Sequence, residues 1–314
     1  MKKLKSKYLL FIVFLLCSLV CFSCDYGKVK SVTTIGETSI EVDESISPVV
    51  KKEADEFMRL NKESKINMNI KTTNEVMADL INGDIKTVVA SREFNSVEKE
   101  HITKFKIDVK HYVFAVDAIG VIVNNANPIG KMTYTELKGI FTGDTKNWDE
   151  LKGDNKDLYK GKIKVFIARG NAAIHDIFKE KVLAGQEYGK YDVQCSTSTQ
   201  MLNEIRNDNH AIGFITMSWI TKFADTLDTA VKPLKIAAVD STGMPFGKYV
   251  GLHQGYVANG DYPLAIKIYI YSTDYGLNVT TGLISFMLAF DGQKIVLNSG
   301  LVPVTQPVRI IELK

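Results

Sequence analysis

One unusually long apolar stretch, Tyr112–Val123, constrains the fold more than any other part of the sequence. It is rich in β-branched residues, and only Asp117 and Gly120 interrupt it. Its twelve residues exceed the usual length of a strand, so the pattern indicates a strand that passes from one domain into another. On both sides of it, short strand patterns alternate with helical patterns. This alternation is typical of α/β layers rather than of a helical bundle or a β-sandwich.

Hydrophobic periodicity and capping residues predict where the other elements lie. Apolar runs predict strands at Thr33–Val42, Ile66–Ile70, Thr87–Ala90 and Ala211–Thr216. Capping patterns predict helices that begin at Ser47-Pro48, at a capping box of Thr133 and Glu136, and at an Asn171 N-cap. Helical spacing predicts further helices at Glu75–Ile81, Gln200–Asn207, Thr280–Phe290 and Gln293–Asn298.

The start of the chain carries a targeting pattern. Lysines precede an apolar run, Tyr8–Phe22, which is too short for a transmembrane helix and is typical of a signal peptide. Ser23-Cys24 at its end resembles a bacterial lipoprotein cleavage site. We therefore expect residues 1–23 to be a signal peptide, Cys24 to be lipidated and residues 24–30 to be a tether to the membrane. An ordinary signal peptide and an uncleaved anchor are the alternatives.

Charge, cysteines and motifs exclude several functional classes. The formal net charge is +3, but four lysines lie in the first seven residues, and without them the charge is about −1. We therefore expect no nucleic-acid partner. After cleavage only Cys24 and Cys195 remain, which excludes a disulfide framework and a zinc cluster. The histidines are scattered, and no nucleophile or dinucleotide motif occurs, so we expect no metal, no cofactor and no enzymatic activity.

Two turns have the pattern of an oxyanion site. In Val42–Pro48 and in Ala168–Ile174 a strand leads directly into a helix, whose first N–H groups have no partner within the helix. A helix start of this kind carries a partial positive charge and binds oxyanions. A third turn, Ala90–Arg92, places an arginine at the end of a short strand. Taken singly, each of the first two turns is most often an ordinary capped helix of an α/β fold, and a lone arginine such as Arg92 is usually part of a surface ion pair.

The run Val116–Leu151 resembles a stretch characteristic of phosphate-binding proteins of bacterial ABC transporters. That family has an Asp-Gly-Ile-like start, Val-Asn, Asn-Pro, a leucine, Ile-Phe-x-Gly and Asn-Trp. The matching positions are Asp117, Ile119, Val123, Asn124, Asn127, Pro128, Leu137, Ile140, Phe141, Gly143, Asn147 and Trp148. The resemblance extends in order over nearly all of the chain after the signal peptide, and is greatest to a lipoprotein branch with Asp-Glu-Ser in the first turn.

This resemblance implies a two-lobed α/β fold, the type II periplasmic-binding-protein fold with two crossovers. Residues 31–114 and 250–314 would form the first lobe and residues 115–249 the second lobe. Inorganic phosphate would bind between the lobes and pass to an ABC permease. The protein would act as a monomer, lipid-anchored in the cell envelope on a periplasmic or outer-surface face. The implied phosphate-binding residues are Glu44, Ser45, Ser91, Arg92, Arg169, Asn171, Ala172 and Ala173.

The second-lobe turn departs from the family pattern. Relatives carry Ser-Gly-Thr or Ser-Ser-Thr there, whereas this chain has Ala172, Ala173 and Ile174. The backbone N–H groups remain, but two or three hydroxyl donors are missing, each worth roughly 0.5–1.5 kcal/mol. Glu44 or Asp43 could accept a hydrogen bond from the proton of monohydrogen phosphate and so exclude sulfate. Alternatively, either residue only interacts favourably with the positive end of the next helix.

Three functions are compatible with these features. The first is a phosphate-binding lipoprotein of an ABC importer. The second is a binding protein for another oxyanion or a small acidic ligand, for which Ala172 and Ala173 would enlarge the pocket. The third is a protein that kept the fold for a scaffold, adhesion or signalling role. A neighbouring permease and ATPase in the genome would separate the importer from the scaffold.

Overall fold

The strands belong mainly to one large mixed sheet. We describe residues 31–224, 230–239 and 245–305 in a computed structural model, so the predicted signal peptide, Cys24 and the tether lie outside the described residues. In chain order the strands are β1 Gly36–Asp43, β2 Ser64–Lys71, β3 Thr87–Ala90, β4 Lys110–Asn124, β5 Lys131–Met132, β6 Lys164–Ala168, β7 Val193–Cys195, β8 Ala211–Thr216, β9 Val231–Pro233, β10 Lys235–Val239, β11 Pro245–Val250, β12 Ala265–Ser272 and β13 Val302–Pro303.

The helices lie between these strands, as the alternating pattern predicts. In chain order they are α1 Ser47–Leu60, α2 Thr73–Asn82, α3 Ser96–Phe105, α4 Tyr134–Thr142, α5 Ala173–Leu183, α6 Ser198–Asn207, α7 Met217–Ala224, α8 Gln254–Ala258, α9 Val279–Leu288 and α10 Phe290–Asn298. The predicted capping box of Thr133 and Glu136 is confirmed at the start of α4. Gly143 follows that helix with φ 83°, a left-handed conformation that glycine adopts without strain.

Strand β4 holds the large sheet together. It has 15 residues, three more than the sequence pattern predicts. Its first part, Lys110–Ala118, pairs antiparallel with β12, and its second part, Ile119–Val123, pairs antiparallel with β8. The strand order β2-β1-β3-β12-β4-β8-β6-β7 therefore has β4 at the junction of two halves. The described residues from Thr33 onward form one compact unit, and the assignment of residues to two lobes stays a prediction.

Several helix starts differ from the sequence prediction, and those of α1, α5 and α6 lie at the strand-to-helix turns. Ser47 is the first residue of α1 rather than its N-cap, because the short 3-10 turn Glu44–Ile46 precedes it. Ala172, not Asn171, is the N-cap of α5, and it makes no side-chain cap bond. Helix α6 begins at Ser198, two residues earlier than predicted, because the Thr197 hydroxyl accepts a hydrogen bond from the Gln200 N–H.

Aromatic packing fixes the direction of α5. Phe178 of α5 stacks on Phe214 of β8, with ring centroids 4.1 Å apart and ring planes 5° from parallel. Phe141 of α4 meets both rings edge-on, at 4.8 Å from Phe178 and 5.7 Å from Phe214. All three side chains are almost fully buried. This cluster holds the start of α5 at the carboxyl edge of the sheet.

Helix α1 buries an acidic side chain. Glu53 is 0% exposed, and neither carboxylate oxygen has a hydrogen-bond partner among the described residues. Burial raises the pKa of Glu53 from 4.5 to about 9, because the charged form loses its hydration. The folded protein therefore keeps this carboxyl protonated at neutral pH.

Replacing Glu53 should remove a pH dependence of stability. Between pH 4.5 and about 9 the unfolded chain releases a proton that the folded chain retains, so this group lowers stability as pH rises. The slope reaches at most about 1.4 kcal/mol per pH unit. We expect the stabilisation by Glu53→Gln to grow from pH 5 to pH 8, measured by urea unfolding. Glu56→Gln on the same helix is the matched control, and an advantage of Glu53→Gln that does not change with pH would contradict the assignment.

Candidate functional site

Three strand-to-helix turns converge on one small cavity. Strands β6 and β7 are parallel neighbours in which Ala168 pairs with Cys195, so α5 and α6 begin side by side at the same edge of the sheet. Facing them, β1 ends at Asp43 and leads through the turn Glu44–Ile46 into α1. The cavity between them has a volume of about 20 Å³ and is lined by the turn Asp43–Ser45, Arg169, Ala172 and the segment 195–198. That volume accommodates about one water molecule.

Asp43 connects the turn after β1 to the end of β3 and the start of α2, all within the predicted first lobe. Its carboxylate is 1% exposed and accepts four hydrogen bonds. They come from the Ser45 N–H at 3.1 Å, the Thr73 hydroxyl at 2.6 Å, the Ser91 N–H at 3.2 Å and, over a short distance, the Ser91 hydroxyl. The carboxylate thus joins the ends of β1 and β3 to the start of α2, and its acceptor capacity is used within the protein.

Glu44 reaches across the cavity to the start of α6. Its Oε1 accepts a hydrogen bond from the Ser198 N–H at 3.0 Å, and its Oε2 accepts one from the Ser198 hydroxyl at 2.9 Å. Burial raises the pKa of Glu44 above its ordinary value, and the two Ser198 donors offset only part of that shift. The positive charge of Arg169 opposes the shift as well, while the charge of Asp43 adds to it.

The start of α5 is occupied by groups of the facing turn. The Ala173 N–H donates to the Thr73 hydroxyl oxygen at 2.9 Å. Beside this bond, the Asn74 N–H donates to the Asn171 carbonyl at 3.2 Å. A backbone donor that the sequence assigns to an oxyanion therefore bonds to a side chain of the same protein in this structure.

The two predicted arginines have different surroundings. Arg92 forms a bidentate ion pair with Glu98, with both nitrogen–oxygen distances 2.7 Å, and also donates to Asn74. It lies outside the cavity lining. Arg169 lines the cavity, and its guanidinium lies 3.5 Å from the Ser196 carbonyl. Arg169 is therefore the arginine that is available to an anion in the cavity.

A buried network links the first turn to β4. The Ser45 carbonyl accepts hydrogen bonds from the hydroxyls of Thr216 at 2.6 Å and Ser218 at 3.0 Å. The Ser218 N–H in turn donates to Asp117 of β4 at 3.3 Å. Asp117 is 0% exposed, and burial raises its pKa to about 7. The turn that carries Glu44 is thus attached to the strand at the centre of the sheet.

The structure brings half of the predicted site residues to the cavity. Glu44, Ser45, Arg169 and Ala172 line it. The other four, Ser91, Arg92, Asn171 and Ala173, lie behind the lining and bond to protein groups. Direct contact of any of the eight with phosphate stays a prediction.

Sequence reasoning missed the hydroxyl groups at the start of α6. Ser196, Thr197 and Ser198 line the cavity, next to the alanine turn that lacks hydroxyls. The signal was present as the run Ser196-Thr197-Ser198-Thr199 just before a helical pattern, a typical N-cap sequence. Cys195 precedes this run, and burial raises the pKa of its thiol to about 12, so it contributes a neutral side chain.

Comparison with known proteins decides the family. A sequence profile described as a PBP superfamily domain matches residues 29–290. The chain belongs to this superfamily. Protein SphX of Synechococcus elongatus is 28% identical over 236 residues, which are 73% of this chain and 66% of SphX. The phosphate-binding protein PstS of Staphylococcus epidermidis is 24% identical over 277 residues, 87% of this chain and 81% of PstS.

Solved structures confirm the predicted fold class. A substrate-binding protein assigned to phosphate ABC transport, crystallised with phosphate, from Clostridium perfringens superposes with a TM-score of 0.71 at 23% identity, covering 86% of this chain and 100% of that one. An ABC-type phosphate transport receptor from Vibrio cholerae gives 0.63 at 17% identity, with coverage of 84% and 99%. The chain therefore has the two-lobed periplasmic-binding-protein fold, and the PstS relative and the Clostridium perfringens structure are named as binding proteins. Among the described residues, no helix is long and apolar enough to cross a membrane.

Replacing Asp43 should destabilise the protein because its carboxylate is saturated with donors. In Asp43→Asn the amide group would face at least one of the four donors, and a buried donor would lose its acceptor. We expect a loss of about 2–3 kcal/mol in the free energy of unfolding, measured with urea. Asp55→Asn, at an exposed ion pair of α1, is the control with a loss below about 0.5 kcal/mol. Equal losses in the two variants would refute the central role of Asp43.

Proposed function

We propose that the protein captures inorganic phosphate in the cavity between its two lobes and delivers it to an ABC permease. One observation carries this proposal. The start of α6 binds a carboxylate, that of Glu44, with both oxygens on donors of Ser198. A helix start that accommodates one oxyanion through an N–H and a hydroxyl offers the same donors to the oxygens of phosphate. Membership of the PBP superfamily and the named phosphate-binding relatives support the choice of ligand.

Arg169 and Glu44 account for the charge that the ligand should carry. Arg169 lines the cavity and supplies a positive charge that can form charge-assisted hydrogen bonds with an anion. Glu44 is the nearby acceptor, because the oxygens of Asp43 already accept four hydrogen bonds. Phosphate that retains a proton can donate a hydrogen bond to Glu44, whereas sulfate carries no proton and cannot.

We expect phosphate to enter when the lobes separate. In this structure the Ser198 N–H and hydroxyl are bonded to Glu44 across the cavity, so these donors are not open to an incoming anion. Hinge opening about the strands that connect the lobes is the usual motion in proteins of this architecture. Opening would release the bonds that join Glu44 to Ser198 and Thr73 to Ala173.

The remaining features of the proposed function concern the cell envelope. Lipidation of Cys24 would anchor the monomeric protein to the membrane, with residues 24–30 as a tether beside the permease.

A second candidate ligand is another oxyanion or a small acidic molecule. The absence of hydroxyls at Ala172, Ala173 and Ile174 favours it, because the family pattern that this chain resembles has hydroxyl side chains in that turn.

Calorimetry with phosphate tests the function directly. We expect the purified full-length chain to bind phosphate with a Kd in the micromolar range or below, and sulfate to produce no heat. Arg169→Ala should weaken phosphate binding about 10- to 100-fold, because it removes a charged donor. Arg59→Ala, at an exposed ion pair of α1, should leave binding unchanged. Folded protein that gives no heat with phosphate would shift the assignment to the second candidate ligand.

Substitution of Cys24 tests the anchor. Cys24→Ser should abolish incorporation of labelled fatty acid and release the protein from the membrane fraction, because the thiol is the proposed acylation site. Cys21→Ser is the matched control, since the residue before Cys21 is bulky and fits a lipoprotein cleavage site poorly. A membrane-bound, acylated Cys24→Ser protein would show that Cys24 is not the anchor.

A further inference from the structure

Direct bonds between the two predicted lobes close the cavity in this structure. They join Glu44 to Ser198, the Thr73 hydroxyl to the Ala173 N–H, and the Asn74 N–H to the Asn171 carbonyl. Only the first places an acidic side chain on a helix start of the opposite lobe. The other two are contacts between neutral groups.

Glu44 is held at its backbone and can move at its side chain. Its carbonyl accepts hydrogen bonds from the Trp219 indole at 3.0 Å and from the Ser47 hydroxyl at 2.9 Å. These bonds fix the turn, while the carboxylate accepts its two hydrogen bonds from Ser198. Rotation about the side-chain bonds of Glu44 can therefore free both Ser198 donors without rearranging the turn.

The bond between Glu44 and Ser198 is only partly compensated energetically. Removal of the carboxylate from water is the largest influence on the pKa of Glu44 and raises it. The two hydrogen bonds from Ser198 offset only part of that shift. Asp43, one residue away, is more deeply buried, and its carboxylate accepts four hydrogen bonds. Of the two carboxylates in this turn, Glu44 is therefore the one that an anion can displace if it accepts stronger hydrogen bonds from the same donors.

We propose that Glu44 is an internal ligand of the binding site. In the empty protein its carboxylate takes the position of a phosphate oxygen pair at the start of α6 and holds the cleft closed. Incoming phosphate takes over the N–H and the hydroxyl of Ser198, and Glu44 moves aside. This inference rests on the proposed function, and it adds Ser198 as a specificity-determining donor in place of the hydroxyls that Ala172 and Ala173 lack.

The neighbourhood of α6 favours this relocation of the anion site. Helices α5 and α6 start side by side, because Ala168 and Cys195 are paired ends of parallel strands. At α5 the Ala173 N–H is bonded to Thr73, and the N-cap Ala172 has no hydroxyl. At α6 the hydroxyls of Ser196, Thr197 and Ser198 stand at the cavity, and Arg169 lies against the Ser196 carbonyl. The hydroxyl and cationic donors of the site are thus concentrated at α6.

Amide hydrogen exchange on the full-length chain without phosphate tests the closing role. The reporter is the peptide covering Asn171–Phe178, because the Ala173 N–H is bonded across the cleft but not to Glu44. We expect this peptide to exchange faster in Glu44→Ala, in Glu44→Gln and in Ser198→Ala than in the wild type. The controls Glu100→Ala and Ser285→Ala, both at exposed helix positions, should exchange as the wild type does. Wild-type exchange in Glu44→Ala would overturn the closing role.

Calorimetry of the same variants tests the exchange of ligands. Ser198→Ala should weaken phosphate binding about two- to tenfold, because one hydroxyl donor is lost while the N–H remains. Glu44→Ala should bind sulfate measurably, since it removes both the competing carboxylate and its repulsion. Unchanged phosphate affinity in Ser198→Ala would overturn the donor assignment. A wild-type protein that does not bind phosphate would refute the proposed function itself, whereas wild-type amide exchange in Glu44→Ala with phosphate binding intact would refute only the internal ligand.

Discussion

Four hydrogen bonds converge on the buried carboxylate of Asp43, and the shape of the cleft depends on them. Their donors lie on three segments, the turn after β1, the start of α2 and the end of β3. Oδ1 accepts the bond from Ser45 and Oδ2 the bonds from Thr73 and Ser91, so one buried side chain holds all three segments in place. The arrangement also orients Thr73 toward Ala173 and leaves Glu44 pointing into the cavity.

The adjacent acidic residues Asp43 and Glu44 therefore have different roles. Neighbouring side chains of an extended strand point to opposite faces, and Asp43 ends β1 while Glu44 begins the turn. Asp43 lies at the wall of the cavity and accepts hydrogen bonds from Ser45, Thr73 and Ser91. Glu44 faces the cavity and accepts hydrogen bonds from the N–H and hydroxyl of Ser198 on the other side of the cleft. The Asp-Glu-Ser turn thus combines a structural anchor with a group that can respond to a ligand.

The sequence predicts the order of elements well and the site only in part. The alternation of strands and helices, the capping box at Thr133 and the long strand β4 follow from local patterns, and each is present. The partners of Asp43 could not be predicted, because Thr73 and Ser91 are 30 and 48 residues away in sequence. The role of Ser198 was missed for the same reason, since Glu44 is 154 residues distant. Arg92 forms an ion pair with Glu98, a partner that the sequence pattern does not predict, and the contact of Arg92 with phosphate stays a prediction.

The position of each contact in the sheet indicates which bonds an opening motion would break. Thr216, which donates to Ser45, is paired directly with Ile119 of β4, and Ser218 is bonded to Asp117 of the same strand. These bonds lie beside the strand shared by both halves, where a rotation about β4 displaces atoms least. Strand β7 lies three places from β4 in the strand order, so the start of α6 would move farther. The bonds of Ser45 can therefore persist as a hinge support while the bond between Glu44 and Ser198 opens and closes.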